Sequence, residues 1–444
     1  MKCRFAPSPT GLLHVGNIRS ALLNWIITRK NKGRFLLRLD DTDLLRSSKE
    51  FEKKIKEDLS WLGINWDKTF NQSERSDIYE KQIDKLKTLK RLYPCFETNE
   101  ELSLKKKSLL SSGKPPIYDR FALNYSESEI NDKLKKGLKP HWRFKLEEKP
   151  IVWNDLIKGE VKFDSKKLSD PILIREDGSL LYHLPSVIDD IEENISHIIR
   201  GEDHISNTAF HIQIFEALNS NVPTFAHHPF LTDKDGKGFG KRINSLSIEN
   251  LRSEGFEEIT ILNYLLNIGS SKDIKPELSI ENIKNNFEIK NISNSSAKFS
   301  YEILKSLNGD VLKKYEYKDV SDKLKAIINY KDLEKFWLFV KNNIQFITEV
   351  ETWFECINSV DHLKDFNISN DFIDTAIKTI PNEPYDYNTW ERWVTSISEI
   401  SGLKGKDLFM PLRLILTGKD KGPELKNLLP LLDRQIILRK FGKI

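Results

Sequence analysis

Within its first 45 residues the chain reads as a strand, a run that no helix can contain, a helix and a second strand, and that order leaves few folds open. Residues 2 to 6 are a strand candidate, and Pro7-Ser8-Pro9-Thr10-Gly11 stops it, since proline lacks an amide donor and Gly11 suits a turn. Ile18, Ala21, Leu22, Trp25 and Ile26 then recur with a helical period, and the helix is predicted to end near Gly33. Arg34 to Leu39 forms a second strand that runs into Asp40-Asp41-Thr42-Asp43. Two strands joined through one helix run parallel. Arg4 and Asp40 are therefore predicted to meet near the carboxyl ends of neighbouring strands, the edge at which open parallel sheets bind ligands.

The turn also sets His14, Gly16 and Asn17 at the mouth of the helix. A helix N-terminus presents unpaired N–H groups and attracts anions. His14 can donate to a phosphate oxygen, Gly16 lets a nucleotide lie against the backbone, and Asn17 adds a side-chain amide.

A chain of 444 residues exceeds one core, and at roughly 150 residues per domain about three are expected. Residues 50 to 110 are lysine-rich and helical in period, with Phe51, Ile55, Leu59 and Leu62 on one face. From Pro115 to Pro185 short strands are predicted, with Asp177-Gly178 as a hairpin turn between Ile172-Leu173-Ile174 and Leu180-Leu181-Tyr182; this stretch reads as an insertion. Helices resume from His204, the glycine-bearing segment Asp235 to Arg242 follows, and an asparagine- and serine-rich patch at 291 to 296 reads as a linker. Beyond about residue 311 the pattern is helical, interrupted at Pro381 to Tyr387 and at Gly402 to Pro411.

Seventy basic against 66 acidic residues leave a net charge of +4, so any nucleic-acid contact must come from local clusters such as Lys85, Lys87, Lys90 and Arg91 rather than from bulk charge. No run approaches the roughly 18 apolar residues of a membrane span, and MKCRFAPSPTG lacks the apolar stretch of a signal peptide, which predicts a cytoplasmic protein with no membrane partner. Cys3, Cys95 and Cys356 are far apart and form no CxxC pair, so no disulfide framework is expected.

The segment Arg4-Phe5-Ala6-Pro7-Ser8-Pro9-Thr10-Gly11-Leu12-Leu13 with His14-Val15-Gly16-Asn17 resembles the opening and the HIGH motif of the class I aminoacyl-tRNA synthetases, and within them of the glutamate-tRNA ligases. Leu37-Arg38-Leu39-Asp40, Tyr182-His183-Leu184 before Val187-Ile188-Asp189-Asp190, and Ile199-Arg200-Gly201-Glu202-Asp203-His204 with Asn207-Thr208 are similar to later parts of that catalytic domain. Phe409-Met410-Pro411-Leu412-Arg413 with Leu416-Thr417-Gly418 is similar to its anticodon-binding region.

The resemblance implies an α/β Rossmann-like catalytic domain with a mixed α/β insertion, followed by an all-α C-terminal anticodon-binding region. Its boundaries would be 1–90 and 179–225 for the catalytic halves, 91–178 for the inserted acceptor-end-binding domain, 226–310 for a lysine-loop and stem-contact region, and 311–444 for the anticodon-binding region. It implies attachment of glutamate to tRNA through an adenylate, with ATP and its Mg2+ as cofactors and a monomeric enzyme. Arg4, aided by Tyr182, would bind the side-chain carboxylate of glutamate. Arg200 would hold a substrate carboxylate, and Ser8 and Asp40, with Ala6 beside them, would receive the ammonium group. His14 and Lys241 would be catalytic, and Gly16, Asn17 and Arg242 would join them in binding ATP.

Two departures from the family pattern stand out. Gly238-Phe239-Gly240-Lys241-Arg242 matches the KMSKS motif but lacks its first lysine and its serine, and it is not a P-loop, having GxxxGKR without the needed spacing or hydroxyl. Some relatives bind zinc through Cys-x-Cys, whereas Tyr93-Pro94-Cys95-Phe96-Glu97 has one cysteine, so no structural zinc is expected. A small-molecule nucleotidyltransferase and a non-catalytic tRNA-binding relative are the competing readings.

Overall fold

The computed structural model describes residues 1–233, 235–238, 246–270, 273–360 and 366–443. They form two compact units, Met1–Asn250 with Leu262–Ile274 and Ser279–Ser300, and Leu251–Ile261 with Lys275–Leu278 and Tyr301–Ile444. Among the described residues no helix is long and apolar enough to cross a membrane.

The first unit opens with β1 (Lys2–Phe5), α1 (Val15–Lys30) and β2 (Arg34–Leu39). β1 and β2 are parallel, with Arg4 opposite Leu36. α2 (Lys49–Trp61) leads to β3 (Lys68–Asn71), which lies parallel to β2. α1 is buried nearly all round, not along one face, for Leu23, Asn24, Ile27 and Thr28 are buried too. The cause lies far along the chain, past α6 (His183–Glu192): β9 (His197–Gly201) packs on α1, and after α7 (Ile205–Ala217), β10 (Thr224–His228) brings His228 Nε2 to 2.7 Å from Ser20 Oγ. Ser196 N–H donates to Lys2 O at 2.9 Å, and Asn24 bonds both the C=O and the N–H of Ile199. β9 and β10 are parallel, Arg200 opposite His227. The chain thus builds outward from β1 in one direction and returns to build in the other, and the crevice where it reverses is a ligand site in doubly wound sheets.

Between β3 and α6 the local structure differs from the sequence reading. The stretch 50–110 holds three helices, α2, α3 (Ser76–Thr88) and α4 (Asn99–Ser111), but also β3 and β4 (Leu92–Cys95), four residues each and too short to interrupt a helical period visibly. The stretch read as strands contains α5 (Glu127–Lys135). Ser126 caps it and Glu129 bonds back to Ser126 N–H, yet none of its residues is buried, so it carries no apolar period. β5 (His141–Phe144), β6 (Pro150–Asp155), β7 (Gly159–Asp164) and β8 (Ile172–Ile174) give a β4-β5-β8 antiparallel sheet and a β6-β7 hairpin. The turn at Asp177-Gly178 forms, with Arg175 N–H to Ser179 O at 2.9 Å and Gly178 at φ 85, followed by a single bridge from Ile174 to Leu180.

One apolar core joins this insertion to the parallel layer, packing Phe144, Ile151, Trp153 and Leu173 with Ile198, Ile214, Phe215 and Phe225. The patch at 291–296 is not a loose linker: Ile292 is buried and Ser293 N–H donates to Gly269 O at 2.9 Å.

The second unit is helical from Tyr301 onward, around a core that includes Trp337, Trp353 and Trp393. The indole N–H groups of Trp337 and Trp393 donate to Tyr315 O and Ala376 O at 3.1 and 3.0 Å, as buried tryptophan requires. The predicted break near Pro381 separates helices Asn370–Lys378 and Tyr387–Ser401, the latter ended by Gly402 at φ 72. The next helix, Lys406–Thr417, runs through Pro411 where an interruption was expected, because its buried face of Leu408, Leu412, Ile415 and Leu416 outweighs one lost amide bond.

Candidate active site

A cavity of about 670 Å³ lies at the carboxyl ends of β1 and β9, lined by Arg4, Ala6, Ser8, His14, Gly16, Asn17, Arg38, Asp40, Tyr182 and Arg200 among others. Residues that the sequence placed 196 positions apart, Arg4 and Arg200, share its wall. The remaining members of the HIGH segment, from Pro7 to Val15, build the loop over the crevice; Pro7 O accepts from Asp40 N–H and Pro9 O from Ser48 N–H, at 3.0 Å each. Phe239, Gly240, Lys241 and Arg242 lie outside the described residues, while Gly238 is exposed. The chain resumes at Leu246, where Ser247 pairs with His14 and Ile248 N–H donates to Leu13 O at 2.9 Å.

His14 is the N-cap of α1. Its Nδ1 accepts from Gly16 N–H at 3.1 Å, and its own N–H donates to Asn17 Oδ1 at 3.2 Å. That bond leaves the ring proton on Nε2, the nitrogen able to donate to an oxyanion. Burial holds the imidazole below its ordinary pKa, so at neutral pH it donates without carrying charge. A Cβ on Gly16 would stand 3.0 Å from His14 Cε1 and 3.1 Å from Nδ1. The glycine therefore makes room first for the histidine, a reason the sequence did not offer.

The floor of the cavity is a buried ion network. Arg38, 1% exposed, forks onto Asp40 at 2.6 and 3.2 Å and reaches Asp190 Oδ1 at 2.9 Å and Ser186 O at 3.2 Å. Arg4 is bidentate to the same Asp190 at 3.0 and 3.3 Å. Asp189, 3.8 Å from Arg38 Nε, takes its hydrogen bonds from Gln72, Arg75 and Tyr79. Burial pushes the Asp40 carboxyl up to about 6, although Arg38 opposes the shift.

Arg200 is different: among the described residues no carboxylate pairs with it. Its Nη1 donates to the Tyr182 hydroxyl at 3.0 Å, and Tyr182 lines the same cavity as Arg4. Behind it stand His211, which meets His183 at 3.1 Å, and His227, which meets Asp155 at 2.5 Å. Asp155 and His227 are 72 residues apart, and nothing local marks either. Asp190, His211 and His227 escaped the sequence reading as site residues for the same reason.

A second cluster lies in the insertion. Cys95, Glu97 and His141 are all buried and bring one donor atom each to within 4.8 Å of the others. Tyr118 donates to Glu97 Oε1 at 2.8 Å, while burial pushes the Cys95 thiol up to about 12 and His141 down to about 4. The expectation of no structural zinc rested on the missing second cysteine and on the lack of a four-ligand set; strand pairing of β4 with β5 brings His141 opposite Cys95 and makes three candidate donors.

Residues 1–306 match the family model described as tRNA synthetases class I (E and Q), catalytic domain, and residues 313–443 match that of an anticodon binding domain. The chain belongs to the class I tRNA synthetases of the E and Q family and is an aminoacyl-tRNA synthetase whose helical C-terminal region binds anticodons by its family. Glutamate-tRNA ligase 1 of Rickettsia felis is 47% identical over 440 residues, 99% of this chain and 98% of the relative. The protein of the same name in Rickettsia prowazekii is 47% identical over 443 residues, with the same coverage. Among solved structures, a glutamate tRNA ligase from Elizabethkingia meningosepticum in complex with its amino acid superposes with a TM-score of 0.89 at 25% identity, covering 100% of this chain and 98% of that one. The glutamate-tRNA synthetase of Elizabethkingia anophelis gives 0.86 at 25% identity, covering 100% and 99%.

Proposed function

We propose that this synthetase attaches glutamate to tRNA through a glutamyl-adenylate, releasing pyrophosphate and AMP. The observation that carries the reading is Arg200 in the cavity wall: Arg4 and Arg38 are met by Asp190 and Asp40, whereas Arg200 is buried with only neutral acceptors among the described residues, which leaves its positive charge for a substrate carboxylate. One uncompensated positive charge suits a substrate of net charge −1, such as an amino acid with an acidic side chain. The relatives named as glutamate-tRNA ligases support the same substrate.

In this reading Arg4 and Arg200 hold the two carboxylates of glutamate, and Asp40 and Ser8 receive its ammonium. The α-carboxylate oxygen attacks the α-phosphorus of ATP, and the bond to the leaving pyrophosphate breaks. A terminal ribose hydroxyl of tRNA then attacks the adenylate carbonyl, and AMP leaves with the bonding pair. The protein supplies positioning and charge stabilisation. The Nε2–H of His14 donates to the phosphate oxygens at the mouth of α1, Gly16 and Asn17 shape that mouth, and Lys241 and Arg242 add positive charge. Magnesium carried in with ATP would supply further charge neutralisation beside His14 and Lys241. Residues 91–178 take the acceptor end, 226–310 the stem and 311–444 the anticodon, in a cytoplasmic monomer.

Charging assays on purified glutamate and glutamine tRNAs, with glutamate, glutamine and aspartate offered separately, test this. Esterification of tRNA with glutamate alone is expected; charging with glutamine but not glutamate would refute it.

The fit of Gly16 to His14 gives a sharper expectation. In Gly16→Ala the new methyl displaces the imidazole by a few tenths of an ångström, and adenylate formation should slow about tenfold, equivalent to about 1.4 kcal/mol. Alanine is the better helix former, so the melting temperature should not fall. Rapid-quench kinetics beside a thermal melt decide it, and an unchanged rate would mean the ring position is immaterial.

A further inference from the structure

Arg200 directs its N–H groups at neutral acceptors: Nε at His227 Nε2 (3.4 Å), Nη1 at Tyr182 Oη (3.0 Å) and His211 Nδ1 (3.4 Å), Nη2 at Thr208 Oγ1 (2.6 Å) and His204 O (3.5 Å). A guanidinium only donates, so each imidazole nitrogen that faces it must carry a lone pair. For His227 that choice is enforced from behind. Its Nδ1 lies 2.5 Å from Asp155 Oδ2, which keeps the ring proton there and leaves Nε2 as an acceptor for Arg200 and for Thr208 Oγ1, 2.8 Å away.

Asp155 is itself fixed. Its Oδ1 accepts from the backbone N–H groups of Ile157, Lys158 and His227, at 3.0 Å each, and the side chains of Asp155 and His227 are both fully buried. Burial pushes its carboxyl up, but the side-chain bond with His227 and, after it, these backbone bonds hold it at about 2. A carboxylate placed directly on Arg200 would neutralise it. Set one imidazole away, Asp155 orients the arginine without cancelling its charge.

We propose that Asp155 and His227 are positioning residues for the substrate carboxylate: Asp155 fixes the tautomer of His227, so that a lone pair meets Arg200 and holds its guanidinium toward the cavity. The inference rests on the glutamate reading above and adds two residues, one from the β6-β7 hairpin and one from β10, that do not touch the substrate.

Asp155→Asn is the incisive variant. The asparagine oxygen can keep the three backbone bonds, but its NH2 then faces Nδ1, and His227 must move its proton to Nε2, against the N–H of Arg200. The glutamate KM for adenylate formation, measured with tRNA present, should rise about tenfold or more, as expected when one bond to a charged group is reversed. The ATP KM should stay within about twofold, since Arg200 is assigned to the amino acid. His227→Gln puts an amide oxygen near the position of Nε2 and needs no help from Asp155. It should keep a glutamate KM within about threefold of the wild type, and adding Asp155→Asn to it should cause no further rise. A role confined to anchoring the hairpin would give the same rise in both backgrounds, and that result, or an unchanged KM in Asp155→Asn, overturns the proposal. A wild-type protein that forms no adenylate from glutamate overturns the substrate reading itself, and does so before any variant is compared.

Discussion

His14→Ala is expected to slow adenylate formation by about two to three orders of magnitude, the usual loss when one preorganised donor to a developing oxyanion is removed. The neutral ring, its proton held on Nε2 by the bond from Gly16 N–H, is aimed from the N-terminus of α1 into the cavity. Because the bond would tighten as charge grows on the phosphate oxygens, the ATP KM should change far less than the rate. The same substitution removes a helix cap, at a cost of about 1 kcal/mol, so a small drop in melting temperature accompanies it. His14→Asn separates the two effects: asparagine caps well and should restore stability while leaving the rate low. Rapid-quench assays on both variants provide the check. A fall of less than tenfold in His14→Ala, or a matching rise in ATP KM, would remove His14 from the chemistry.

Arg38→Met is expected to be the most damaging change to the first unit, destabilising it by about 3–5 kcal/mol, the range for breaking a buried ion pair from one side. Arg38 makes bonds to Asp40, Asp190, Ser186 O and Ser186 Oγ from a site 1% exposed. Asp190 would retain Arg4, but Asp40 would lose both of its bonds to a cation.

The pH dependence follows from the sign of the Asp40 shift. Its folded pKa, about 6, already lies above the ordinary value of 3.8, so its contribution to stability is full below pH 4 and is lost as pH rises through 6. Removing Arg38 raises that folded pKa further, so the stability gap between variant and wild type should be widest near pH 8 and narrow toward pH 5. Calorimetry at the two pH values tests this. A gap independent of pH would show that lost packing, not charge, accounts for the damage. Arg38→Lys should rescue only part, because an ammonium cannot fork onto both oxygens of Asp40.

Legibility in the sequence followed the range of the interactions. The β1-α1-β2 unit was readable because its determinants are local: two prolines, a helical period and a strand within 45 residues. The resemblance supplied Arg4, Tyr182 and Arg200, and the fold brings all three to one cavity. What the sequence hid was pairing across distance. Asp190 supports Arg4 from 186 positions away, and Asp155 supports His227 from 72. Short elements were hidden for another reason: β3 and β4 owe their strand geometry to neighbours, and α5 to a capping box with no buried face.

The histidines of the amino-acid pocket have a consequence for how it responds to its surroundings. Clustered imidazoles ordinarily form a buffer, exchanging protons as the cell drifts in pH. Here burial and the nearby cations hold His183 and His204 near 4 and His211 well below its ordinary value, and burial holds His14 and His227 below theirs. Between about pH 7 and 8 these rings stay uncharged, those of His211 and His227 keep their lone pairs on Arg200, and the field in the cavity does not change. Asp40, held at about 6, does take up a proton on acidification, and on the glutamate reading proposed above that withdraws the countercharge for the substrate ammonium.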